Sequence, residues 1–99
     1  MIDLRRVERF EWDLGNARKS EKHGVTQSEA EQVFVNEPLL LSDNKHSHNE
    51  PRFYALGKTN KERLLNVTFT FRDNGTKIRV ISARPMHRKE RSIYEQNKP

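Results

Sequence analysis

Phe10-Glu11-Trp12 alternates apolar and charged positions at the two-residue period of a strand, and Asp13 follows as a good helix cap. The pattern predicts a short strand leading into a helix from about Leu14 to Lys22, with Gly24 supplying the left-handed stop. Thr26-Gln27-Ser28-Glu29 is a capping box, in which hydroxyl and carboxylate each accept from an otherwise unpaired backbone N–H. A second helix starts there, with Ala30, Val33 and Phe34 as its apolar stripe. Asn36-Glu37-Pro38 ends it, because the residue before a proline is pushed out of helical geometry.

Leu39-Leu40-Leu41 reads as a short strand, and the polar stretch from Ser42 to Pro51, with two histidines, as a long loop. Arg52–Lys58 and Arg63–Arg72 read as strands joined by a turn at Thr59-Asn60-Lys61-Glu62. Asp73-Asn74-Gly75 is a hairpin signal, since both central residues of a type I′ turn need positive φ. With Asn74 and Gly75 as the loop, Asp73 faces Thr76, Phe71 faces Ile78, Phe69 faces Val80 and Val67 faces Ser82, which defines a core face. On the other face Thr70 lies opposite Arg79, beside Arg72, Thr68 and Ile81. The strand runs on through Arg84, and Pro85 suits the first turn of a helix in which Met86, Glu90, Ile93 and Tyr94 recur at helical spacing.

The elements predict an α+β domain, with a mainly antiparallel, twisted sheet packed by helices on one face and its other face open. A chain of 99 residues, 32% hydrophobic and 33% charged, allows one small core and no second domain. Phe10, Trp12 and Tyr94 are therefore expected to pack rather than to stack on bases. The absence of cysteine excludes disulfides and thiolate metal sites. The charged N-terminus lacks the apolar run of a signal peptide and no long apolar run follows, so a cytoplasmic protein without a membrane partner is expected.

Charge is unevenly placed along the chain. The net +5 resides in the segment from Lys77 to Pro99, with seven basic residues against two acidic ones, while the preceding part balances. An anionic partner is implied, such as a phosphate chain or an acidic protein surface. Arginine suits phosphate because its planar fork bonds two oxygens and keeps its charge, so Arg52, Arg79 and Arg84 are the phosphate candidates. For proton transfer His23, with Lys22 beside it, is the first candidate, although a histidine there could simply meet the last helical carbonyls. His87 is a second.

Arg72 either shares the site with Arg79 or carries a solvated charge at the hairpin end. Glu50 is a candidate base, or a partner that orients Arg52, and Arg88 belongs to a helix face turned to solvent, RNA or a protein partner. His46 and His48 lie two apart with Asp43 nearby, a spacing that suits a metal, yet no third spaced ligand appears; solvated loop histidines are the expectation.

Several of these motifs recur together in one known group. Phe10-Glu11-Trp12-Asp13, Lys22-His23-Gly24-Val25, Asp43 to His46 with Glu50 and Arg52, then Arg72, Ile78-Arg79, Ile81-Ser82-Ala83-Arg84, Glu90-Arg91 and Tyr94 resemble the BrnT family in order and spacing. The resemblance covers Phe10 to Glu95 and implies a RelE-like fold and a ribonuclease toxin of a type II toxin–antitoxin pair, cutting RNA without a cofactor and halting translation. It implies as partners an RNA substrate and a BrnA-like ribbon-helix-helix antitoxin, with operator DNA met only through the antitoxin complex. Asn16 departs from the lysine usual in the family, Ser20 from asparagine, and Pro51 from a second acidic residue. A binding module that cuts nothing would use the same basic helix and cationic sheet face.

Overall fold

The computed structural model describes residues 2–47 and 49–98. Five strands, β1 (Arg9–Glu11), β2 (Leu39–Ser42), β3 (Phe53–Lys58), β4 (Leu64–Arg72) and β5 (Lys77–Pro85), form one sheet in the order β1-β5-β4-β3-β2. β1 runs parallel to β5 and every other pair is antiparallel. Three helices complete the α+β fold, α1 (Leu14–Glu21), α2 (Gln27–Val35) and α3 (Arg88–Asn97). None of the helices described is long and apolar enough to cross a membrane.

Local signals place the first two helices as the pattern predicts. Asp13 accepts from the Asn16 N–H at 3.0 Å, and the Asn16 side chain accepts in return from the Asp13 N–H at 2.7 Å. The same buried Asn16 amide donates to the carbonyls of Glu11 and Val80 at 2.9 and 2.8 Å, so one side chain ties the strand-to-helix corner to β5. Gly24 has φ +73°, and Thr26 and Glu29 close the second capping box.

Helix α2 covers one face of the sheet. Val25, Ala30, Val33 and Phe34 pack there against Ala55, Leu65, Val67, Phe69, Ile78, Val80 and Ala83. Phe69 is fully buried at the centre, with the rings of Phe34, Phe53 and Phe71 at 5.0, 5.5 and 5.5 Å. Phe10 and Trp12 join this core as expected, and the Trp12 indole donates to Glu31 at 2.8 Å.

Helix α3 corrects the expectation that all helices share one face. Met86, Ile93 and Tyr94 pack on Leu39, Leu41, Leu56 and Leu64, which alternate with Leu40, Ala55 and Leu65 of the main core and so lie on the opposite face. The β2–β3 side of the sheet is apolar on both faces and needs a second cover. Only the part nearer β5 stays open.

Three further details depart from the predicted pattern. Asp73, Asn74 and Gly75 all have positive φ, at 52°, 57° and 86°, so the hairpin loop spans four residues with overlapping turns, and the ladder opens at Arg72 opposite Lys77. Phe71–Ile78, Thr70–Arg79 and Phe69–Val80 pair as predicted, but a bulge then shifts the register, so that Val67 faces Ala83 rather than Ser82. Pro85 is the last residue of β5, not the first turn of a helix; the Met86 N–H still bonds to Leu64, and α3 starts only after His87, whose N–H donates to Glu90 at 2.8 Å.

Candidate functional site

The bulge decides what the open face carries. Val80 and Ala83 both enter the core, which leaves Ile81 and Ser82 between them outside it and puts Arg79 and Arg84 on the same side of β5. Thr70 sits opposite Arg79, Thr68 opposite Ser82 with Tyr54 beyond it, and Asn66 opposite Arg84. Hydroxyls therefore separate two guanidinium groups.

A cleft of about 210 Å³ opens at the Arg79 end, lined by Gly15, Asn16 and Lys19 of α1 together with Glu50, Arg52, Arg79 and Ile81. A second of about 210 Å³ is lined by His46, Asn49, Glu50 and Arg52. The two share Glu50 and Arg52.

Most of the cations on this face are already paired. Arg79 meets Glu11 at 3.1 Å and Asp13 at 2.9 Å; burial works against its charge, but the two carboxylates outweigh burial and raise its pKa. Arg72 meets Glu50 at 3.3 Å. This contradicts the expected Glu50–Arg52 pair, because Glu50 leaves the loop toward the neighbouring β4. Among the described residues no carboxylate pairs with Arg52, whose backbone alone is bonded, to Ser47 and Asp43.

Arg84 is held by both oxygens of Glu90 at 2.7 and 2.8 Å, and Asn66 donates to the same carboxylate at 2.8 Å. Burial pushes the Glu90 pKa upward, but Arg84, the His87 N–H and Asn66 prevail and hold it at about 2 against an ordinary 4.5. A carboxyl depressed on folding stabilises the native state above its unfolded pKa and loses that contribution as pH falls toward the folded value. Roughly 1–3 kcal/mol of acid-sensitive stability should therefore come from Glu90 alone. Urea midpoints of Glu90→Gln should fall less than those of the native chain between neutral pH and about pH 2.5; parallel curves would deny the link.

Other candidates lie elsewhere. Lys22 and His23 follow α1 on an exposed turn, their backbone N–H groups bonded to Arg18 and Ser20, and neither lines the two clefts. His87 and Arg88 are exposed at the start of α3. His46 belongs to a 3₁₀ turn at Asn44–His46 and meets the buried Asp43 carboxylate through Nδ1 at 3.0 and 3.2 Å. Burial works against the charge of Asp43, but Tyr54 and His46 outweigh it and lower its pKa. His48 lies outside the described residues, and among those described no group of three or more His, Cys, Asp or Glu is placed to hold a metal. Sequence reasoning passed over Lys19, although it stands one turn beyond Asn16 on the same helix face.

The mostly antiparallel five-stranded sheet with its three helices is an α+β architecture that fits a RelE-like toxin fold. Comparison with protein families narrows that class: residues 12–90 match the model described as the ribonuclease toxin, BrnT, of the type II toxin–antitoxin system. The chain belongs to the BrnT family, and with it come ribonuclease activity, an RNA substrate and an antitoxin partner. A comparison with curated proteins found no match.

Proposed function

We propose that this protein is a metal-independent endoribonuclease whose phosphate grip is formed by Arg52 and Arg79, with Lys19 alongside, and which stops translation by cutting RNA in the cytoplasm. The observation that carries this reading is the single cleft lined by all three cations, with Arg52 free of any described carboxylate. A scissile phosphate needs its developing charge stabilised while the ribose 2′-hydroxyl attacks the phosphorus; fixed cations and positioning supply most of the rate. Arg79 is aimed by Glu11 and Asp13 and takes the phosphate in exchange for one of them. Arg84 reaches RNA only where Glu90 releases it, and Arg72 and Glu50 hold each other at the cleft wall. Lys22, His23, His87 and Arg88 lie outside the grip and would meet flanking nucleotides or the antitoxin. That antitoxin is a ribbon-helix-helix protein, as the family resemblance suggests, and operator DNA is bound only by the complex of the two.

Incubating the antitoxin-free protein with end-labelled RNA in excess chelator tests the reaction. Cleavage to 2′,3′-cyclic phosphate ends is expected; RNA that stays intact until magnesium is restored would overturn metal independence.

A further inference from the structure

We infer that His46, held by the buried Asp43 carboxylate, is the general base that removes the proton from the attacking 2′-hydroxyl. This rests on the 2′-hydroxyl route proposed above. Three observations support it. His46 lines a cleft that shares Glu50 and Arg52 with the one holding the phosphate grip, so the ring and the grip have that arginine in common. Its Nδ1 is taken up by Asp43, which leaves Nε2 as the nitrogen able to meet a ligand. The turn is also tied to the arginine: the Asp43 N–H donates to the Arg52 carbonyl at 2.8 Å, the Arg52 N–H donates to the Ser47 hydroxyl at 2.9 Å, and that hydroxyl donates to the Asp43 carbonyl at 2.5 Å.

The base is thus tied by hydrogen bonds to the backbone of Arg52. Asp43 is only 5% exposed, and its carboxylate also accepts the His46 N–H at 3.3 Å, so ring and backbone are oriented together. Among the described residues, the charged or titratable groups around the ring are Asp43, which bonds it, Tyr54 of β3 on Asp43, Lys45 on the same turn, and Glu50 and Arg52 of the same cleft.

In the neutral imidazole Nδ1–H donates to Asp43 and Nε2 carries the lone pair. The 2′-hydroxyl proton moves to Nε2 as the O2′–P bond forms and the P–O5′ bond breaks. The departing 5′-oxygen takes a proton from water, and the hydroxide so formed recovers the proton from Nε2. A 2′,3′-cyclic phosphate and a free 5′-hydroxyl result, and the enzyme is unchanged. Asp43 is a positioning residue in this scheme.

The test uses the full-length protein, end-labelled RNA and a 2′-O-methyl RNA of the same sequence that cannot be cut. His46→Ala and His46→Gln should each cut roughly a hundredfold more slowly while binding the uncleavable RNA within about tenfold of the native protein. The acidic limb of the native rate–pH profile should be absent from the residual activity of His46→Ala. Asp43→Asn should slow the native enzyme roughly tenfold and add nothing in the His46→Ala background, whereas a purely structural role would cost rate in both. Cleavage within about threefold of native in either His46 variant, a persisting acidic limb, or additive losses would overturn the assignment. Native products without cyclic phosphate would instead overturn the 2′-hydroxyl route itself.

Discussion

Replacing Arg52 with alanine should lower RNA cleavage by about 10²–10³-fold, the usual loss when one group that stabilises developing charge is removed. Stability should stay within about 0.5 kcal/mol, because no described carboxylate depends on that guanidinium. Arg79→Ala is the informative contrast. It should remove activity to a similar degree, but it also takes away the cation that Glu11 and Asp13 share and should therefore lower stability as well. Measuring cleavage together with the urea midpoint separates the two. Native-like cleavage by the Arg52 variant would remove the shared cleft from the site.

Phe69→Ala should cost about 3–5 kcal/mol, the largest stability loss expected of any single truncation here. The ring is fully buried, and its three aromatic neighbours come from α2, β3 and its own strand, so no single element can collapse into the space. A chain of this size has about 5–15 kcal/mol in total, and the variant should therefore be partly unfolded at growth temperature. Denaturant unfolding should show a lower midpoint with an unchanged slope; a loss below about 1 kcal/mol would mean that the core is not centred on this residue.

Much of the fold can be read from local chemistry. The capping residues Asp13, Thr26 and Glu29, the stop at Gly24 and the position, though not the length, of the hairpin at Asn74-Gly75 are set within a few residues, so their outcome is written in short segments. The bulge in β5, the opposite-face docking of α3 and the pairing of Glu50 with Arg72 arise from packing between distant segments, and no local pattern contains them. The site divides in the same way. Arginine chemistry singled out Arg52, Arg79 and Arg84 before any geometry, whereas the place of Lys19 in the cleft of Arg52 and Arg79, and the support of His46 by Asp43, emerge only when α1 and the 3₁₀ turn are brought to the sheet.

The bulge between Val80 and Ala83 has a genetic corollary. Arg79 and Arg84 are an odd number of positions apart, and in an unbroken strand their side chains would point to opposite faces. One inserted residue restores a common direction without altering either arginine. A single codon gained or lost in this stretch would therefore change the electrostatic character of the surface more than most substitutions, which makes strand length itself a heritable variable on which selection for or against toxicity can act.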